Sequence, residues 1–362
     1  MEKITWVVLG FAALQCLVAL INLLFRQRLP KTDGADHQPV SVLIPARNEA
    51  ENLREQIPRL LKQMTPDDEL LVYDDDSEDD TASVVKGYAT EDQRVGLVAT
   101  RPLPEGWLGK NWGCHNLALE AKGQYLLFLD ADVRVSRHVI PRSIAYMNKY
   151  RLSLLSHFPK QIMGSPGEWL TVPLMHYILL TLLPLTLVKR LGFSSVSAAN
   201  GQFMLFLATT YHRMTPHRMA RRSRAEDIRI ARLMKKGREK VACLAGTHDV
   251  YCRMYSGWSE AINGFSKNVT SFFGGSYVLA CLFWVVTTPA MVWMALFAEH
   301  SLLATYIMLL LLTRVAVSWV ARQHVPVNVL LLIPQQLTLG WLILVAMKKE
   351  LKKEHQWKGR SI

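Results

Sequence analysis

The chain has 362 residues, half of them hydrophobic, a mean hydropathy of +0.11 and a formal net charge of +12. That hydropathy is high for a wholly soluble enzyme, and the basic excess lies mostly beside apolar runs or in 218–240, outside any nucleic-acid module, which excludes nucleic acid as the expected partner. Five scattered cysteines (16, 114, 243, 252, 281) without a C-x-x-C pair, and histidines without ligand spacing, argue against a disulfide framework and a zinc site.

Residues 4–25, ITWVVLGFAALQCLVALINLLF, carry no charge. They match the roughly 20 apolar residues that cross a bilayer. The run ends in RQRLPK rather than a small-residue cleavage site, which predicts a retained anchor over 1–29 and, by the positive-inside tendency, a cytoplasmic domain after it.

The middle of the chain changes character. PVSVLIPARNE reads as a strand stopped near Pro45, and the next segment puts Leu53, Ile57, Leu60, Leu61 and Met64 on one helical face. ELLVYDDD reads as a second strand, TASVVKGYA as a helix, RVGLVAT as a third strand, NWGCHNLALEAK as a helix and QYLLFLDADV as a fourth strand. Strands alternating with helices predict an α/β fold with a mostly parallel sheet covered on both faces. Ligands collect at the carboxyl ends of such strands. Two strands end in acid there, at 74–76 and 130–132. Asp130 and Asp132, two apart on a segment entering a turn, form either an acidic turn or an oxygen site for Mg²⁺ or Mn²⁺.

Beyond the middle, 169–191 with Pro173 and Pro184 reads as a kinked apolar helix, either laid on the membrane surface or buried. Three further apolar runs cover 276–298, 302–321 and 325–347, followed by a basic tail that prefers the cytoplasm. Three full crossings would leave that tail outside, so the last run, interrupted by IPQQ at 333–336, is expected to be re-entrant or interfacial. Arg314 inside the second run is expected to snorkel to a headgroup, with contact to an anionic lipid as its functional alternative.

In order, SVLIPARNEAENL, VYDDDSEDDT, GWLGKNWGCHNLA, LLFLDADV, NGQFMLF and EDIRIARLMKKG resemble the family 2 glycosyltransferases of GT-A fold over residues 39–270. CRMYSGWSEAINGFSKN and the closing WKGR resemble bacterial members acting on lipids, such as carotenoid acids of the 4,4'-diaponeurosporenoate type and hopanoids. The resemblance implies a GT-A domain over 30–270, terminal membrane helices at 1–29 and 271–362, and a multi-pass protein of the cell membrane. It further implies an inverting transfer of one sugar from a nucleotide-sugar, a UDP-sugar by expectation, to a membrane lipid, with Mg²⁺ or Mn²⁺. Anionic lipid headgroups are expected as additional partners.

By the same resemblance, Asp75 holds the uracil or ribose, with Pro45, Arg47 and Glu49 on the turn walling the nucleotide and Lys110 beside it. Asp130 and Asp132 form the D-x-D motif, Asp132 being the direct metal ligand, and Asp227 is the general base. Trp107, Asn200, Gln202 and Glu226 are candidate contacts to donor sugar or acceptor. An acceptor that is already a carboxylate would need Asp227 less for deprotonation.

Three departures stand out. Asp76 replaces a glycine and is expected to need positive φ, MTPHR (214–218) replaces a glycine pair before the base motif, and the Q-x-x-R-W motif of processive synthases is absent, with RMYSGW in its region. The last point weighs against the alternative of a polysaccharide-extending synthase. The retained acids weigh against a non-catalytic protein with a decayed domain. Arg221, Arg222 and Arg224 read as a solvated helix start or as a diphosphate contact.

Overall fold

The computed structural model describes residues 1–30, 38–352, 356–357 and 360–361. Residues 31–37, 353–355 of the basic tail, 358–359 of the WKGR motif and 362 therefore lie outside the described residues. The chain divides into two compact units, Gln27–Lys160 with Leu187–Cys252, and Met1–Arg26 with Gln161–Thr186 and Arg253–Ile362. The packing thus groups Gln161–Thr186 with the terminal segments, where the sequence placed them inside the transferase domain.

The first unit is built on seven strands: β1 (Val40–Ala46), β2 (Glu69–Asp74), β3 (Val95–Val98), β4 (Tyr125–Leu129), β5 (Leu154–Phe158), β6 (Phe203–Leu207) and β7 (Val241–Ala245). They lie in the order β3-β2-β1-β4-β6-β5-β7, all parallel except β6, which runs against β4 and β5. The continuous apolar runs follow from burial on both faces, since Val42, Leu43 and Ile44, like Leu126 and Leu127, are fully buried. On the helix Ala50–Leu61 the buried stripe is Leu53, Ile57 and Leu60, with Leu61 half-buried.

This topology positions the site. β1 lies between β2 and β4, so the crossovers leave on opposite sides and open a crevice at its carboxyl end. Reversal of β6 pairs Phe203 with Leu129, which brings the preceding Asn200-Gly201-Gln202 to the same end. A short antiparallel ribbon, Val133–Val135 against Val250–Cys252, follows the D-x-D turn and brings Cys252 beside it.

The second unit contains three helical stretches long and apolar enough to cross a membrane, Glu2–Leu24, Tyr277–Phe297 and His300–Ala321. Val8, Leu9 and Ala12 of the first pack with Ala290, Met294 and Tyr306 of the other two. Helix Pro173–Leu182 is buried along its length rather than laid on a surface, and its end is held by Asn22, whose Nδ2 donates to the carbonyls of Leu180 and Leu183. The final run is broken at Leu331, between Val325–Leu330 and Leu332–Lys352, whereas IPQQ lies in the first turn of the longer helix with Gln335 and Gln336 fully buried. Arg314 does not snorkel either; it is 3% exposed.

Candidate active site

Two sets of expected residues assemble at the carboxyl edge of the sheet. The first comprises the turns after β1 and β2. Arg47 is buried, and its Nη1 donates at 2.6 Å to the carbonyls of both Asp75 and Asp76. Asp76 sits in the left-handed region at φ 58, as the missing glycine requires, and Asn48 opposite it has φ 53. The Asn48 amide donates to Ser77 Oγ while Asn48 Oδ1 accepts from the Glu78 amide. Asp79 accepts the Thr81 amide at 2.9 Å on one oxygen and the Ala50 amide at 3.1 Å on the other, so one carboxylate caps two helices. Burial alone would raise that carboxyl, but these hydrogen bonds and that from the Thr81 hydroxyl hold it below the usual range.

Of the six acids from Asp74 to Asp80, then, Asp79 caps, Asp74 accepts from Ser77, and Asp76, Glu78 and Asp80 face solvent. Asp75 is 5% exposed, its amide fixed on the Ala46 carbonyl. Pro45 pairs with Tyr73 in register, and Glu49 donates its amide to Thr81 and accepts from Asn52.

The second set lies around Lys110, in the first turn of helix Gly109–Glu120. Its Nζ is 2.8 Å from Asp130 Oδ1 and 3.2 Å from Glu226 Oε1, joining segments far apart in sequence. Burial would lower its pKa, but the two carboxylates lift it well above the ordinary lysine value. Asp227 accepts the Gly201 amide at 3.0 Å and its neighbouring Ile228 amide at 2.7 Å. Burial and then Glu226 push the Asp227 carboxyl up to about 7, against the opposing pull of those amides and of Lys110. That range suits a general base near neutral pH.

Gly201 explains how these groups fit. A Cβ there would meet Glu226 Oε1 at 2.9 Å and Lys110 Nζ at 3.3 Å, so a side chain at this position would displace the ends of the ion cluster. Asn200 Oδ1 accepts the Gln202 amide, and the Gln202 carbonyl accepts the Asp130 amide, locking this turn to the D-x-D turn. Trp107 stacks on His115 at 5.2 Å and meets Trp112 edge-on at 4.9 Å. Arg221 and Arg222 are exposed on a segment whose carbonyls accept from Asn111. In the MTPHR segment Thr215 takes the left-handed conformation at φ 44, and His217 is buried against Phe128 and Tyr211.

Cys252 is the partner that motif reading missed. Its Sγ donates to Asp132 Oδ2 at 3.2 Å and receives Gln202 Nε2 at 3.0 Å, a relay that orients Asp132. Burial first, then Asp130, raise the Asp132 carboxyl to about 7, despite the thiol's donation. Glu49 adds to the repulsion. No group of three or more His, Cys, Asp or Glu side chains is placed to hold a metal by itself among the described residues. Asp132, raised by burial and by the neighbouring Asp130, nevertheless fits with that neighbour a hard divalent cation that arrives with substrate phosphates and waters as its other ligands.

A parallel sheet with acids converging at its switch point defines a GT-A nucleotide-sugar-type fold. Residues 41–229 match the model of Glycosyl transferase family 2, and the chain belongs to that family. It is 28% identical over 251 residues to a 4,4'-diaponeurosporenoate glycosyltransferase of Staphylococcus haemolyticus (strain JCSC1435), covering 66% of this chain and 63% of that one. A namesake from Staphylococcus aureus (strain USA300) is 25% identical over 253 residues, covering 68% and 64%. The chain therefore spans less than two thirds of the length of these curated relatives. Among solved structures, a mannosyltransferase from Pyrobaculum calidifontis in complex with GDP-Man and Mn²⁺ covers 97% of this chain and 99% of its own, with TM-score 0.56 and 15% identity. That likeness bears on the fold alone.

Proposed function

We propose that the protein transfers one sugar from a nucleotide-diphosphate sugar, a UDP-sugar by preference, to a membrane lipid acceptor, with inversion at the anomeric carbon. The observation that carries this is the convergence of Lys110, Asp130, Glu226 and Asp227 at one strand edge. The curated relatives named for a carotenoid acid support a lipid acceptor.

In this reading Asp75, with Pro45, Arg47 and Glu49 around it, receives the nucleoside, and Lys110 faces the donor's phosphates. The acceptor oxygen attacks the anomeric carbon as the bond to the diphosphate breaks, and a hydroxyl acceptor passes its proton to Asp227, whereas a carboxylate acceptor attacks already ionised. Positioned proton transfer of this kind contributes typically 10²–10⁴-fold. Asp132 and Asp130 would hold Mg²⁺ or Mn²⁺, which when bound offsets the charge developing on the diphosphate. Asn200, Gln202, Glu226 and Trp107 line the donor-sugar and acceptor sides.

We place the protein in the cell membrane as a multi-pass chain with its catalytic unit cytoplasmic, on the strength of the apolar helices and the basic flank at 26–31. The test is incubation of purified protein with a panel of nucleotide-sugars, membrane lipid extract and Mn²⁺, followed by product mass. Asp132→Asn should abolish nucleotide release; unchanged release, or none from wild type with any donor, ends the proposal. A reporter on the C-terminal tail that reads extracellular would overturn the orientation.

A further inference from the structure

Arg314 lies two thirds of the way along the apolar helix His300–Ala321. Its Nη1 donates to Gln335 Oε1 at 2.9 Å and its guanidinium lies over the Tyr177 ring at 4.0 Å, whereas Nη2 is buried with no hydrogen-bond partner among the described residues. Both recorded partners are neutral. The orientation of Gln335 is fixed, because its Nε2 already donates to the Trp169 carbonyl and to Asn328 Oδ1. Asn328 in turn donates to Ser318 Oγ and Gln323 Oε1, so the amides of this network leave Arg314 facing acceptor atoms only at Gln335.

Among the described residues no carboxylate pairs with Arg314. Glu299 is the one acid between residues 276 and 349. It caps the same helix, fifteen residues and about 22 Å from Arg314. Glu168, the buried acid of this unit, is committed to Arg253. An arginine buried without a counter-charge is costly, and intramembrane cations mark functional sites by default. Guanidinium edges suit carboxylate and phosphate oxygens. The helix carrying Arg314 also exposes Ile307 and Leu311, within about 60° of it around the axis, an apolar flank along which an acyl chain can lie.

We infer that Arg314 is the anchor of a lipid-binding site whose ligand presents an oxyanion, either a carboxylate or a phosphodiester. This assignment stands apart from the transfer reading, since its readout is binding rather than turnover.

The test uses the full chain, delipidated in a neutral detergent at pH 8.5. Melting is followed with oleate against oleyl alcohol, and with dioleoylphosphatidylglycerol against dioleoylglycerol. At saturation one anionic probe should raise Tm by about 5 °C, with the neutral counterparts inert. Response to oleate identifies a carboxylate lipid, and response to phosphatidylglycerol a bilayer phospholipid. In Arg314→Met the anion shift should vanish while the ligand-free Tm holds or rises, because an unpaired charge has been removed. No shift in wild type with either anion, or a full shift surviving in Arg314→Met, overturns the site. Should that variant fail to fold, Arg314→Lys decides: the two-pronged edge is gone, so a shift cut to less than half supports the site and an undiminished one refutes it.

Discussion

Lys110 Nζ stands 2.8 Å from Asp130 Oδ1 and 3.2 Å from Glu226 Oε1, so a single ammonium holds two acids 96 positions apart in the sequence. Without that cation, four carboxylates gathered at one strand edge would repel one another.

Replacing Lys110 with Met should therefore do more than remove a donor contact. kcat/KM is expected to fall on the order of 10²-fold or more. Lys110 also lowers the Asp227 carboxyl, so its loss moves the acidic limb of the pH profile upward. A limb that stays in place would show that Lys110 and Asp227 are not coupled.

Wild-type kcat/KM should drop as pH falls through about 7, because the Asp227 carboxyl is raised there and only its ionised form accepts a proton. Asp227→Asn should lower kcat on the order of 10²–10⁴-fold and flatten that limb. Rates measured from pH 5.5 to 8.5 check both. An unchanged limb in the variant would assign it to another group.

At Asp76 the backbone is left-handed at φ 58, and the side chain is exposed, 3.8 Å from Arg47 Nη1. Asp76→Gly should therefore change stability by less than about 0.5 kcal/mol. Asp76→Val, which tolerates that conformation poorly, should cost on the order of 1–2 kcal/mol. Paired thermal melts distinguish the two, and equal losses would mean that the carboxylate, not the backbone, matters.

His157 is fully buried between Ser143 and Phe203, and burial drives its imidazole down to about 3. A free histidine titrates near 6.5. The folded pKa is the lower one, so the contribution to stability is complete above pH 6.5 and is lost progressively as pH falls toward 3. Asp227 acts in the opposite sense, its contribution being lost as pH rises through about 7. Comparison of wild type with His157→Leu isolates the histidine. The fall in Tm from pH 6.5 to 5 should be shallower in the variant, whatever its Tm at pH 7.5.

The sheet and its acidic strand ends were legible because both are local: apolar runs of strand length that stop at aspartates. The positive φ at Asp76 was legible because the family it resembles carries glycine there. The Lys110–Glu226 pair was not legible, since nothing in the 115 intervening residues encodes their approach until β6 reverses and Gly201 lets the chains close. Cys252 offered only a lone thiol, a poor signal for a residue that orients Asp132. Arg314 was misjudged for a related reason. Hydropathy weighs one segment at a time, whereas its partner Gln335 comes from the IPQQ stretch that looked like a break. Buried polar groups in such a unit are explained by each other, and pairing is not a property of either run alone.

Asp79 carries a consequence for engineering. Because its two oxygens cap Ala50 and Thr81, while Arg47, Asn48 and Ser77 stitch the same turns, the loops after β1 and β2 form a matched set. A chimera that imports one loop from a relative, or changes its length by a residue, strands the complementary donors and acceptors on the other. If the proposed nucleoside pocket lies between these loops, donor specificity is redesigned by exchanging both together.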